Sequence, residues 1–408
     1  MHPEDWTLEA VSNFGSVSAG RQKAPSFKEG APRKYLRVAN VYEAHIDTSD
    51  VLEMPFTDPE YSRYKLEPGD ILLNEGQSIE LVGRPAMYEG FPENCCFQNT
   101  LVRFKPNNRV NPHFALQLFR LCLHDGTFQK IAKKTTSIAH LGVSRFAELE
   151  LLWPPLIEQT KIAQILSTWD KAINTTERML ANSQQQKQAL LEPLLSGRKR
   201  FAGYPAWTRT AFSELLSESR LPGSNGEIAK KITVKLYGKG VFAKDDKRIG
   251  SESTKYYRRR AGQFIYSKLD FLNGAFGIIP EHLDSYESTL DLPAFDFSEL
   301  VEPAWLLQYV SREEFYTAQL GLANGGRKAR RVNPADLLGI EIPLPSRPEQ
   351  QKIAQVLSTA DAEIANLQAQ LDKLKLEKKA LMQQLLTGKR RVRLDDEEED
   401  VTPIRRVG

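Results

Sequence analysis

Between Lys230 and Arg260 the chain carries eleven Lys and Arg residues against three acids, a net of +8, whereas Glu281 to Glu302 carries seven acids and no Lys or Arg. Cations gathered on one side of a fold suit a phosphate backbone, because each neutralised phosphate releases condensed counterions. Lys230, Lys231, Lys255, Arg258, Arg259 and Arg260 are therefore candidate DNA-contacting residues, joined by Arg327, Lys328, Arg330 and Arg331 after Asn324-Gly325-Gly326. A thinner set lies in the first half: Lys130, Lys133, Lys134 and Arg145, with His140 and the uncharged donors Thr135, Thr136 and Ser137 among them. A merely solvated charged face would use the same residue types.

The pieces of an enzyme are missing. There is no Gly-rich loop ending in Gly-Lys-Ser/Thr, no His-Glu-x-x-His and no Gly-x-Ser-x-Gly. The histidines, His2, His45, His113, His124, His140 and His282, include no pair four residues apart. Cys95, Cys96 and Cys122 have no metal-ligand spacing and suit a reducing cytoplasm. No run approaches the ~18 apolar residues of a membrane span, and the start of the chain lacks a signal pattern, so a cytoplasmic protein with no catalysis, metal or cofactor of its own is expected. The overall charge of +3 says little about partners, so the argument rests on where the charges fall.

These cations must be positioned by something, and the strongest pattern in the chain is a duplication. Glu158-Gln159-Thr160-Lys161-Ile162-Ala163 returns as Glu349-Gln350-Gln351-Lys352-Ile353-Ala354, and the offset of 191 holds through Asp170/Asp361 and Lys187/Lys378 to Gly197/Gly388. In the second copy Ile353, Leu357, Ala360, Ile364, Leu367, Leu371, Leu374, Lys378, Leu381 and Leu385 alternate steps of four and three, a heptad seam broken only by Lys378. The first copy places Ile162, Leu166, Trp169, Ile173, Thr176, Leu180, Ser183, Lys187, Leu190 and Leu194 there, apolar at both ends and polar in the middle. Forty residues make a rod of roughly 60 Å, and each helix is the other's natural support. Ser346-Arg347-Pro348-Glu349 has the form of a capping box, and Gly197 and Gly388 suit the stops.

Before each helix, strands cluster ahead of helices, which predicts α+β domains. Tyr35 to Ala39, Asp70 to Leu73, Thr100 to Phe104 and Leu149 to Leu152 read as strands, with a helix opening at Asn111-Pro112. In the second half, Tyr237 to Val241, Phe264 to Tyr266 and Gly274 to Ile279 read as strands and turns, Pro303 to Tyr309 mirrors the Pro112 helix, and Ile340 to Ile342 mirrors Leu149 to Leu151. The expected division is 1–152 and 201–344 for the domains, 153–200 and 345–391 for the helices, and 392–408 for an acidic, disordered tail. Helices kept and domains diverged is the pattern of a common scaffold carrying two different recognition surfaces.

Pro343-Leu344-Pro345-Ser346-Arg347-Pro348-Glu349-Gln350-Gln351-Lys352-Ile353-Ala354 and the helix ends Leu194 to Arg198 and Leu385 to Lys389 resemble the conserved regions of specificity subunits of type I restriction–modification enzymes. Ser267-Lys268-Leu269-Asp270 running to Gly277, and Arg331-Val332-Asn333, are similar to their target recognition domains; Trp153-Pro154-Pro155 departs slightly from the proline pattern. The resemblance implies two pseudo-symmetric target recognition domains joined by two long antiparallel coiled-coil helices, each domain reading one half of a split double-stranded DNA site. It implies that the helices fix the spacer and dock two DNA adenine methyltransferase subunits, with motor-nuclease subunits completing the complex. S-adenosylmethionine, ATP and Mg2+ would then belong to those partners. Thr176, Ser183 and Lys187 would face partner helices as well as the twin helix. The alternative is a non-catalytic coiled-coil scaffold without sequence-specific DNA binding; a single-chain nuclease is a weaker third reading.

Overall fold

The computed structural model describes residues 3–22, 29–135, 137–245, 251–322 and 330–393. Both long helices form, as Leu156–Leu195 and Arg347–Leu385, and each contributes one half to each of two compact units. The first unit is 1–177 with 369–408, the second 178–368. The acidic run from Asp395 to Asp400 lies outside the described residues.

In the first unit strand Thr7–Ala10 pairs antiparallel with Glu150–Trp153, the strand that leads into the long helix. A four-stranded sheet follows the order Gly15–Ala19, Leu101–Pro106, Ile71–Asn74, Pro85–Met87. A smaller sheet joins Cys96–Phe97, Ala31–Leu36 and Leu52–Phe56. Helix Pro112–His124 starts where Asn111 accepts from the backbone N–H groups of His113 and Phe114, the capping chemistry its side chain favours. Its apolar face carries Phe114, Ala115, Leu118 and Phe119 into one core with Val102, Phe104, Ile162 and Leu166 from the first long helix and Met382 and Leu385 from the second. Phe104 and Phe119 meet edge to face at 5.1 Å.

The second unit repeats the plan. Thr208–Ala211 pairs with Glu341–Leu344, a four-stranded sheet runs Leu216–Ser219, Ala294–Phe297, Phe264–Tyr266, Phe276–Ile278, and a three-stranded sheet runs Pro222–Asn225, Lys255–Arg258, Glu287–Ser288. Helix Pro303–Val310 buries Trp305 and Leu306 in a core shared with Leu194, Ile353 and Leu357. The stretch expected as a strand from Tyr237 instead forms the tip of a hairpin between Ile232–Val234 and Val241–Ala243, because Tyr237 takes a positive φ of 56°.

Inside each unit the two half-helices run antiparallel. Ile162, Leu166, Ile173, Leu180, Ile353, Leu357 and Leu371 of the seam are buried, while Trp169, Ile364 and Leu381 are half-buried. Lys378, the break in the heptad, is 3% exposed and donates to Asp170, which also accepts from Arg120 and Gln117. The copy of this bridge, Lys187 to Asp361, holds the second unit and is more exposed. Thr176 donates to Ala172 O and Ser183 to Glu363, so both polar seam hydroxyls have a hydrogen-bond partner within their own unit.

The helix starts use a second repeated device. Glu158, 1% exposed, accepts from the indole N–H of Trp6 at 3.0 Å and from Arg391 at 2.8 and 2.9 Å, while Arg391 also reaches both oxygens of Asp5. Glu349, fully buried, accepts from Trp207 at 2.9 Å and from Arg200 at 2.7 and 3.1 Å. The capping box expected at Ser346 is not made: Glu349 is taken by this clamp, and the Ser346 hydroxyl is buried without a hydrogen-bond partner. Gly388 and Gly197 end the helices at φ of 71° and 77°, and a Cβ at Gly388 would stand 2.5 Å from Pro3, next to the clamp.

Around Lys378 the polar network widens: Arg120 bridges Asp170 and Glu43, and Glu43 also meets His124 at 2.9 Å. Burial alone would push the Glu43 carboxyl up, but His124 and Arg120 outweigh it and hold it at about 2, against an ordinary 4.5; Asp170 is likewise held low. A carboxyl that titrates lower when folded stabilises fully above its unfolded value, and that contribution is lost as pH falls from about 4.5 towards 2. With allowance for the partial exposure of Glu43, about 2 kcal/mol of first-unit stability is at stake. Denaturant unfolding from pH 6 to pH 3 should show this loss, and Glu43→Gln should flatten it. An identical pH profile for both proteins would remove Glu43 from the account.

Candidate nucleic-acid interface

The cations predicted in the second unit do not share one environment. Lys230, Lys255, Arg258 and Arg330 are exposed and make no salt bridge among the described residues; Lys255 and Arg258 lie on the central strand of the three-stranded sheet. The Lys231 ammonium is 5.9 Å from the ring centre of Tyr256. Arg260 is exposed but bound to both oxygens of Asp296 at 2.8 and 2.9 Å, and Arg331 stands 3.9 Å from Asp291. Arg327 and Lys328 lie outside the described residues, as do Lys247 and Arg248.

Arg259 overturns its expectation. It is 1% exposed, and its guanidinium donates to Ser219 O at 2.7 Å, Leu292 O at 3.1 Å and Ser288 Oγ at 2.8 Å, so it is a strut of the domain and reaches no phosphate. Burial pushes it down to about 10. The strand ends at Arg258, which is exposed, and the next residue, Arg259, turns into the core. The expected segregation of basic and acidic sides also fails locally: Arg258 pairs in register with Glu287, and the acids Asp291 and Asp296 sit beside Arg331 and Arg260.

The hairpin tip adds groups that composition did not single out. Tyr237, 67% exposed, is fixed by backbone bonds from Tyr237 N to Asn273 O and Gly238 N to Gly274 O, both 2.8 Å. Lys235 lies 4.2 Å from the Phe242 ring centre beside it. An exposed aromatic among cations is the composition that nucleic-acid surfaces use for base contact.

In the first unit Lys130, Lys133, Lys134 and Arg145 are all exposed. Lys133–Lys134 is a short edge strand paired with Ala139–His140. Lys130 and Arg145 line one open groove, but Glu148 and Glu150 line it as well, and Arg145 is partly engaged by His140 O at 2.8 Å. This groove is mixed in charge. The described residues contain no group of three His, Cys, Asp or Glu side chains placed to hold a metal, and no helix long and apolar enough to cross a membrane.

A different set of cations emerges on the small sheet of this unit. Arg33 and Lys34 stand on strand Ala31–Leu36, and Arg63 and Lys65 close helix Asp58–Tyr64. Arg33 lies 4.4 Å and Lys65 5.7 Å from the Tyr61 ring centre, and Arg63 is 5.4 Å from that of Tyr64. They come from segments some thirty residues apart, so no charge run betrayed them. Interleaving with Tyr61 and Tyr64 was the available signal.

The two clamps, the two Asp–Lys bridges and the repeated three-sheet plan define a duplicated scaffold bearing two unlike exposed surfaces. The family model for the type I restriction modification DNA specificity domain matches residues 3–182 and 306–376, more than half of the chain. The chain belongs to this specificity-subunit family. Its function is sequence-specific DNA recognition in a type I restriction–modification system. The putative MjaX specificity subunit of Methanocaldococcus jannaschii is 24% identical over 96% of this chain and 95% of its own length; the MjaVIII specificity subunit of the same organism is 23% identical over 96% and 94%. Among solved structures, the type I S subunit from M. genitalium has a TM-score of 0.55 at 14% identity, covering 93% of this chain and 96% of its own. The HsdS subunit from Thermoanaerobacter tengcongensis has a TM-score of 0.52 at 16% identity, covering 95% and 97%. These two structures share the fold of the specificity subunit described here. The family match leaves residues 183–305, which include the basic stretch and the Tyr237 hairpin, outside it.

Proposed function

We propose that this specificity subunit reads a bipartite duplex target, one half-site per unit, and that its paired helices set the spacer and dock two DNA adenine methyltransferase subunits. The observation that carries this reading is the 191-residue repeat: its clamps and Asp–Lys bridges are kept in both copies, while the surfaces bearing Lys255 and Arg258 in one unit and the first unit's cations have no residue-by-residue correspondence. A shared frame with unlike faces suits two different half-sites. Leu156 and Ile157 at the start of the first long helix and Met179 and Leu376 along the helices are large exposed apolar side chains that suit helix docking by partner subunits. Catalysis then belongs to those partners: methyl transfer with S-adenosylmethionine in the methyltransferases, which extrude the target base, and ATP- and Mg2+-dependent translocation and cutting in motor-nuclease subunits.

A map of methylated adenines in the host, with and without the gene, tests the proposal. Loss of methylation at one split motif on deletion is the expected result, and it returns both half-sites and the spacer. An unchanged map, together with failure of the purified chain to bind a methyltransferase, would favour the scaffold reading.

A further inference from the structure

We infer that the first unit meets the DNA backbone through strand Ala31–Leu36 and the end of helix Asp58–Tyr64, with Arg33, Lys34, Arg63 and Lys65 on phosphates and Phe91 against the groove. The inference rests on the DNA-reading proposal and relocates the contact face of this unit away from Lys130 and Arg145.

Four observations support it. None of the four cations has a salt bridge among the described residues, although carboxylates are close: Glu53 sits opposite Lys34 in the strand register, and Glu60 is taken by Arg21 at 2.8 Å. The backbone that carries Arg63 and Lys65 is also tied down. Arg103 donates to Lys65 O at 3.0 Å and to Arg63 O at 3.3 Å, securing the last turn of the helix from below, and the Arg33 Nε is buried with no hydrogen-bond partner. A tied backbone leaves less to order when the side chains it carries meet a phosphate.

The sheet in question also has a counterpart. Cys96–Phe97 and Glu287–Ser288 stand 191 residues apart, each an edge strand of a three-stranded sheet, the first pairing parallel and the second antiparallel with its central strand. In the second unit the central strand of that sheet carries Lys255 and Arg258, exposed and without a salt bridge among the described residues, while the adjoining Arg259 turns inward to Ser219 O, Leu292 O and Ser288 Oγ. The central strand of each sheet thus carries exposed cations, Lys34 next to the half-buried Arg33 in one unit and Lys255 with Arg258 in the other. Lastly, Phe91 is 68% exposed on a loop tied to the helix by the Tyr61 hydroxyl, which donates to Asn94 Oδ1 at 3.1 Å. An exposed apolar wedge suits a groove edge better than bulk water.

The test compares the full chain, alone and co-purified with its methyltransferase, with two fourfold variants: Arg33→Ala, Lys34→Ala, Arg63→Ala, Lys65→Ala, and Lys130→Ala, Lys133→Ala, Lys134→Ala, Arg145→Ala. Binding to a random-sequence 40-base-pair duplex is followed by anisotropy across salt concentrations. The first variant should bind at least about tenfold more weakly at low salt and lower the logarithmic salt slope by about 3.6, at roughly 0.9 for each of four lost phosphate contacts; the second should change the slope by less than about 1. If the fourfold variant does not fold, Lys34→Gln and Lys65→Gln singly should each lower the slope by just under 1. Wild-type affinity and slope in the first variant, or the full loss in the second, would overturn the inference while leaving DNA reading intact. A wild-type chain that bound no duplex, alone or with its methyltransferase, would overturn both.

Discussion

Inserting one heptad between Glu177 and Arg178 and another between Gln368 and Ala369 should lengthen the spacer of the methylated motif by roughly three base pairs and leave both half-sites unchanged. The points are chosen from the pairing within each unit. The Asp170–Lys378 bridge and the Glu158 clamp stay together in the first unit, and the Asp361–Lys187 bridge and the Glu349 clamp stay together in the second. Seven residues add about 10 Å of helix, and a base pair advances 3.4 Å along each strand. A multiple of seven keeps Ile173, Leu180 and Leu371 on the seam, whereas four or five residues would rotate them off it. Insertion into one helix alone should abolish methylation, because the seam then loses its register on one side. Mapping methylated adenines in the three strains decides the matter: an unlengthened spacer in the double insertion would mean that the helices do not measure distance.

The second large effect separates two neighbours. Arg259→Ala should cost the second unit about 3 kcal/mol, since it takes the guanidinium donor from Ser219 O, leaves Leu292 O with the Ser288 hydroxyl alone and removes a packed, buried side chain. Arg259→Lys should restore little of this, because one ammonium cannot reproduce the guanidinium fork. Arg258→Ala, from an exposed position, should change stability by less than about 0.5 kcal/mol and lower the salt slope of DNA binding by just under 1. Hydrogen exchange of peptides covering 216–219 and 292–297, read beside anisotropy titrations, would see both effects. Protection lost in the Arg258 variant and kept in the Arg259 variant would reverse the assignment.

These neighbours show where the sequence was legible and where it was not. The heptad seam was readable because helical periodicity depends on spacing alone, and even its exception, Lys378, proved to be a buried partner of Asp170. The clamps were half visible: Glu158 and Glu349, like Arg391 and Arg200, obey the repeat, but Trp6 and Trp207 do not share its offset. Each tryptophan reaches its glutamate across more than a hundred residues, and only tertiary pairing shows that. The α+β plan followed from clustered strands, while Tyr237 was misplaced because a positive φ leaves no compositional trace in a non-glycine residue. Cation runs were the weakest guide to the interface. A run counts Arg258, Arg259 and Arg260 alike, though one is exposed, one is a strut and one is bound to Asp296. It also overlooks Arg33 and Lys65, which meet only through folding around Tyr61.

The Arg391 clamp bears on the order in which a ribosome can complete this molecule. The second unit lies within 178–368, so every residue it requires has been synthesised before the first unit can close. The first unit waits for the Met382 and Leu385 side chains and for Arg391 to reach Asp5 and Glu158. During that interval Ile162 and Leu166 lack their cover, so the domain made first is the one finished last, and the nascent chain is most open to chaperones and proteases there.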